Sequence, residues 1–205
     1  MKARPILFSG PMVRALLDGR KTQTRRVLKG TTEYRGPYNP AYLEVHKRSD
    51  GWADICPFGK AGDLLWVREG FSYDRLDVDR DGILSPWYWA DGNPEYGDWT
   101  KPKPSIHMPR WASRLTLELT GIRVERLWDC SESDALAEGV DITLPMFDAA
   151  AYDNAGMNGS VYREQYRTVW ESINGPGSWD ANPRVWVLKF KVHRRNVDEL
   201  LKVAA

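Results

Sequence analysis

The stretch RLTLELTGIRVERL, residues 114–127, alternates apolar and polar residues as a β-strand does. The alternation changes parity at Gly121. The apolar residues concerned are Leu115, Leu117 and Leu119 before the glycine and Ile122 and Val124 after it. A one-residue shift at a glycine predicts a β-bulge or a tight turn, by which small barrels bend their strands. This stretch therefore favours a small β-barrel.

The rest of the chain alternates short strands and helices without the regular order of a doubly wound parallel sheet. The predicted elements are the strand RPILFS (4–9), a helix from Pro11 to Gly19, the strand GDLLWVRE (62–69), the helix SESDALAEGV (131–140), the helix GSVYREQYRTVWESING (159–175) and the strand RVWVLKFKV (184–192). We therefore expect an α+β fold, a small, mostly antiparallel barrel with flanking helices and long inserted loops. No internal repeat or long linker is found, so residues 1–205 are expected to form one domain with insertions near 28–55, 71–110 and 141–158.

Composition limits the classes of function. The chain has 29 Lys and Arg against 28 Asp and Glu, so any nucleic-acid site must be a local patch. Cys56 and Cys130 form no Cys-x-x-Cys pair, which indicates reduced thiols in the cytoplasm. His46, His107 and His193 stand alone, so we predict neither a metal site nor a cofactor. No apolar run is long enough to span a bilayer or to serve as a signal peptide, so no membrane association is expected.

The basic stretch GRKTQTRR, residues 19–26, admits two interpretations. It is a solvated loop after a helix, or it is a catalytic loop in which Lys21 meets the hydroxyl of Thr24. These two side chains point oppositely in a strand, so they meet only if the chain turns here. Burial and the like charges of Arg25 and Arg26 would lower the pKa of Lys21, which could then take the proton of Thr24.

The basic stretch, followed by GDLLWVRE, SESDALAEGV and VWVLKFK, resembles the ASCH domain family of PUA-like β-barrels. The family marker Gly-x-Lys-x-x-x-x-Arg is met by Gly19, Lys21 and Arg26. Some bacterial members are N4-acetylcytidine amidohydrolases that carry Gly-Arg-Lys-Thr-x-Thr-x-Arg, and this sequence matches each specified position. The resemblance implies that Lys21 and Thr24 are catalytic, and that the catalytic glutamate is Glu138.

The chain as a whole also resembles larger ASCH proteins of tailed phages and prophages. The shared segments include SIHMPRWASR (105–114) and WESINGPGSWD (170–180). An insertion beside a small pocket would admit a polymer, exclude a nucleoside or supply new ligands. Because these alternatives imply different substrates, the expected partner is a nucleoside, a nucleotide, or RNA or DNA.

Five further residues are candidates for substrate binding, each with a plainer alternative. Glu69 is a second pocket carboxylate or forms a salt bridge with Arg68 or Arg26. His107, Arg110 and Arg114 contact phosphate, or the arginines are packed on a nearby tryptophan. Trp66 faces a ligand or forms part of the barrel wall.

Several functions are compatible with these residues. In the first, Thr24 attacks an acyl carbonyl on a modified cytosine, Lys21 accepts its proton, Glu138 protonates the departing amine, and Arg25 or Arg26 stabilises the oxyanion. In the second, the same pocket is a non-catalytic reader of RNA or modified DNA. A nuclease of the same fold and a phage accessory or assembly factor are the remaining alternatives.

Overall fold

The structure is a computed structural model that describes residues 1–28, 56–78, 84–141 and 161–203. It contains both helices and strands, so the fold is α+β. The strands are β1 (Ala3–Leu7), β2 (Gln23–Val27), β3 (Leu64–Arg68), β4 (Phe71–Val78), β5 (Leu84–Tyr88), β6 (Thr116–Arg126) and β7 (Arg184–His193). The α-helices are α1 (Gly10–Leu17), α2 (Glu132–Ala137), α3 (Val161–Asn174) and α4 (Val197–Val203). None of the described helices is long and apolar enough to cross a membrane.

The chain divides into two compact units, and β6 and β7 contribute residues to both. The first unit consists of Met1–Asp18, Gly62–Glu118 and Lys191–Ala205. In it β1 pairs with β3 in parallel, and β3 pairs antiparallel with the start of β6. Strands β4 and β5 form a separate antiparallel pair. The first unit thus contains mixed strand pairing and one hairpin.

The second unit consists of Gly19–Ala61 and Leu119–Phe190. Strand β2 pairs antiparallel with β7, with Thr24 opposite Leu188. The buried core of this unit joins α2 and α3 to β7 and includes Tyr166, Trp170 and Trp179. The second unit therefore carries the basic stretch against a core supplied mainly by the C-terminal half of the chain.

Most of the predicted helices and strands are confirmed. Helix α1 begins at Gly10 with Pro11 in its first turn, and Gly19 follows it with a φ of +76°. This is the left-handed conformation that ends helices and that glycine adopts without strain. Helix α2 has the predicted cap, because the Ser131 hydroxyl accepts from the backbone N–H of Asp134.

Two local predictions are met only in part. Strand β6 runs through Gly121, so the tight turn is wrong, whereas the alternative of a bulge stays a prediction. The residues of β6 beyond Gly121 are half-buried or exposed, so Ile122 and Val124 do not lie on a fully buried face. Within the basic stretch, residues 23–26 lie in strand β2 and not in a loop.

The remaining predictions concern the three insertions, the C-terminal end of the chain and the barrel. The insertion near 71–110 contains the β4–β5 hairpin, and the C-terminal helix α4 was not predicted. The insertions near 28–55 and 141–158 lie almost entirely outside the described residues. No strand pairing among the described residues closes a barrel, so the PUA-like barrel stays a prediction, as does the single domain.

Candidate functional site

The end of α2 lies against the start of β2 in the second unit. Lys21 and Glu138 form an isolated antiparallel bridge, and the N–H of Thr22 donates to the carbonyl of Ala137 at 2.9 Å. Glu138 is the last residue in helical conformation, and Gly139 follows it with a φ of +83°. The helix therefore ends where the Glu138 side chain faces the strand.

A buried contact between Lys21 and Glu138 is the centre of the site. The Lys21 Nζ donates to the Glu138 Oε2 and to the Glu138 carbonyl oxygen, both at 2.8 Å. The Arg25 guanidinium donates to the other carboxylate oxygen, Oε1, at 3.1 Å. The side chains of Lys21 and Arg25 are 0% exposed and that of Glu138 is 2% exposed, so two cations share one carboxylate away from water.

Further charged residues surround Arg25 and complete a network. Arg25 donates to the Oε1 of Glu125 through Nε at 3.0 Å and through a terminal nitrogen at 2.6 Å. The same terminal nitrogen lies 3.3 Å from the Oδ2 of Asp134. The Arg123 guanidinium lies 2.7 Å from Glu125 and 2.9 Å from Asp134, so it links these two carboxylates. The carboxylates of Glu138, Glu125 and Asp134 thus all contact Arg25. Its buried positive charge is therefore paired and hydrogen-bonded, as a charge away from water must be.

Burial lowers the pKa of Lys21 below its ordinary value of 10.5. The ion pair with Glu138 opposes this shift, whereas the positive charges of Arg26 and Arg25 add to it. Burial also lowers the pKa of Arg26. For Arg25 burial is outweighed by the neighbouring acidic groups, with Glu138 the largest, so its pKa is raised. Among these cations Lys21 is thus the one able to act as a base, since an arginine keeps its charge.

The structure does not bring Thr24 to Lys21. Thr24 lies within β2 between Gln23 and Arg25, whose side chains contact Asp134 and Glu138. Strand alternation places Thr24 on the opposite face of β2. Within the described parts of the chain its hydroxyl makes no hydrogen bond. The turn expected to join Lys21 and Thr24 is therefore absent from these residues, and the role of Thr24 stays a prediction.

Tyr166 of α3 also belongs to this site, although nothing in the sequence around it indicates a functional role. It is 3% exposed, and the Arg25 guanidinium carbon lies 5.9 Å from the centroid of its ring. Helical periodicity predicts only that Tyr166 lies on the apolar face of α3. Its polar neighbours come from β2 and α2, so no local pattern could have indicated them. Cys130 lies in the same core, where burial raises the pKa of its thiol to about 12.

The first unit contains the other predicted binding residues. Glu69 is 1% exposed, and Arg114 binds both of its carboxylate oxygens at 2.9 and 3.0 Å. Arg114 also binds both oxygens of Asp91, at 2.6 and 2.8 Å. Burial raises the pKa of Glu69 and the ion pair with Arg114 opposes the shift. Arg114 thus binds carboxylates with all three guanidinium nitrogens, while its contact with a phosphate stays a prediction. Among the described residues Glu69 pairs with Arg114 and not with the expected Arg68 or Arg26.

Of the remaining three predicted residues, two contact other parts of the chain and one is exposed. Arg110 pairs with Asp198 of α4 at 2.6 Å. Trp66 is 9% exposed and packs in a cluster with Leu64 and with Val197 of α4. His107 ends a short 3-10 turn and is exposed. Trp66 therefore packs in the core of the first unit, and its place in a barrel wall stays a prediction.

Within the described ranges no three His, Cys, Asp or Glu side chains are grouped so as to hold a metal ion. Comparison of the chain with protein-family models, with curated proteins and with solved structures found no match.

Proposed function

We propose that this chain is an ASCH-type hydrolase with a PUA-like barrel, acting on the amide of a modified cytosine nucleoside or nucleotide of the N4-acetylcytidine kind. The observation that supports the proposal is the buried contact of Lys21 with Glu138, two residues 117 positions apart in the sequence. The resemblance to amidohydrolases assigns both of them to catalysis. A buried lysine with a lowered pKa beside a carboxylate is an arrangement suited to proton transfer.

The pair can move the protons of amide hydrolysis. Lys21 gives a proton to Glu138, which leaves a neutral amine and a carboxylic acid. The amine takes the proton of the attacking hydroxyl while its oxygen bonds to the acyl carbon. When the carbon–nitrogen bond breaks, Glu138 gives its proton to the exocyclic amine. The ammonium and the carboxylate are then restored and cytidine is released; when the attacking hydroxyl belongs to water, the acyl group leaves as a carboxylic acid.

The attacking oxygen belongs either to Thr24 or to water, and a substitution decides between them. With Thr24 as nucleophile, breaking the carbon–nitrogen bond leaves an ester on the Thr24 hydroxyl, which a water molecule then hydrolyses to the carboxylic acid and free Thr24; Thr24→Ala abolishes turnover. With water as nucleophile Thr24→Ala retains most of the activity. Thr24→Ser, which keeps a hydroxyl, is the matched control.

The proposal is tested by incubating the purified protein with N4-acetylcytidine and following cytidine by chromatography. We expect cytidine from the wild type and a loss of at least 100-fold in Lys21→Met and Glu138→Gln. Lys189→Met is the matched control, because Lys189 is exposed on the neighbouring strand β7. Circular dichroism verifies that each variant is folded. A folded wild type that releases no cytidine contradicts the proposed activity on this substrate.

A second candidate function is the binding of a nucleoside, a nucleotide or RNA without chemistry. It is favoured by the separation of Thr24 from Lys21, because the predicted nucleophile and base are not in contact. This function predicts saturable binding of cytidine without product. If the ligand is RNA, affinity falls steeply with added salt as phosphate contacts release counterions.

A further inference from the structure

We propose that Tyr166 is a further catalytic residue of this site, and that its hydroxyl donates a hydrogen bond to the acyl oxygen of the substrate as negative charge develops there. The inference rests on the proposed amide hydrolysis. The sequence predicts that Arg25 or Arg26 contacts the oxyanion. We assign this contact to Tyr166 of α3 instead.

The ring of Tyr166 is held firmly in the core of the second unit. Its centroid lies 6.2 Å from that of Trp170 and 6.1 Å from that of Trp179, the latter in an edge-to-face arrangement. These contacts fix the ring plane, so the hydroxyl needs no reordering to meet a substrate. A donor fixed before the reaction contributes more to a transition state than one that must be ordered during it.

The hydroxyl of Tyr166 makes no hydrogen bond within the described residues, although only 3% of the residue is exposed. Its oxygen is not one of the fully enclosed side-chain atoms that lack a partner in the described part of the chain. By contrast, the hydroxyl of Tyr88 in the first unit donates to the Ala112 carbonyl at 2.9 Å. A donor on a fixed ring that no protein group engages, beside a charged cluster, has the properties of a ligand contact.

The charges around Tyr166 suit this role. Glu138, Arg25, Cys130 and Arg26 all act on its hydroxyl electrostatically. Burial, with a contribution from Glu138, raises the pKa of Tyr166 well above 10, so the group stays protonated and able to donate. Arg25 is already bonded to the three carboxylates of the network, which leaves the phenol better placed than Arg25 to bind a new oxygen.

The test compares Tyr166→Phe, which removes only the hydroxyl, with wild type in the hydrolysis of N4-acetylcytidine. We expect kcat to fall on the order of 100-fold with KM changed less than about threefold, as for loss of one oxyanion donor. Tyr162→Phe, the same change one turn earlier on α3, is expected to retain wild-type kcat. The midpoint of urea unfolding should not fall in Tyr166→Phe, because the lost hydroxyl has no partner.

The outcomes separate this inference from the proposed function. An active wild type with an equally active Tyr166→Phe variant overturns the role of Tyr166 and leaves the hydrolase standing. A Tyr166→Phe variant that unfolds at clearly lower urea concentration also overturns it, because the hydroxyl is then a structural group. A folded wild type without activity overturns the proposed function and this inference together.

Discussion

Replacing Glu138 by leucine leaves the Lys21 ammonium buried without its carboxylate. The backbone carbonyl of residue 138 still accepts from Lys21, while Arg25 and Arg26 add repulsion. The least costly response is for Lys21 to lose its proton. At pH 7 this costs about 1.4 kcal/mol for each unit between 7 and its ordinary pKa of 10.5, or about 5 kcal/mol in all. We therefore expect Glu138→Leu to lower the free energy of unfolding by about 3–5 kcal/mol.

The loss should depend on pH in a definite direction. In the variant the folded chain holds Lys21 neutral and the unfolded chain holds it protonated, so the unfolded state binds more protons. Stability then rises with pH, by up to about 1.4 kcal/mol per unit between pH 7 and pH 10. Urea unfolding of wild type and variant at pH 7, 8 and 9, followed by tryptophan fluorescence, measures the difference.

The double variant Lys21→Met/Glu138→Leu is the control, because it removes both charges of the pair. Replacing a buried ion pair by apolar side chains of similar size is often nearly neutral, so most of the lost stability should return. A Glu138→Leu variant within about 1 kcal/mol of wild type at pH 7, or one whose loss is the same at all three pH values, would refute the reasoning.

Two further substitutions test the charged groups of each unit. Asp134→Asn should cost about 1–2 kcal/mol at pH 7, because the bonds from Gln23 and Ser131 and the charge of Arg25 outweigh burial and lower the pKa of the Asp134 carboxyl. That stability is present above the ordinary pKa of 3.8 and is lost as the pH falls below it, so in acid the two proteins should converge in their urea midpoints. Arg114→Lys should cost about 2–3 kcal/mol by urea unfolding, since one ammonium cannot replace the paired bonds to Glu69; an unchanged midpoint would contradict the bidentate geometry.

Local signals in the sequence predicted the elements that carry the site. Pro11 and Gly19 bound α1 as expected, and Ser131 with Asp134 caps α2 as expected. These predictions are confirmed because caps and breakers act within one turn of the chain. The proximity of Lys21 to Glu138 had no such local origin, and the family resemblance, not any periodicity, paired them.

The features that the sequence did not predict depend on contacts between residues far apart in the chain. The basic stretch lacks an apolar alternation, yet it is a strand because β7 pairs with it and distant carboxylates neutralise its side chains. The sequence predicts a phosphate contact for Arg114 because it does not reveal the carboxylate partners Asp91 and Glu69, which lie 23 and 45 residues away. Charge partners at such separations leave no trace in a local pattern.

The central claim is that Lys21 is a buried base beside Glu138. The most direct test is an NMR titration of the lysine side chains in the wild-type protein, with the Lys21 signal assigned by its loss in Lys21→Arg. We expect the Lys21 signal to titrate clearly below the ordinary lysine pKa of 10.5. A Lys21 signal that titrates at 10.5 or above would contradict the assignment of Lys21 as the buried base.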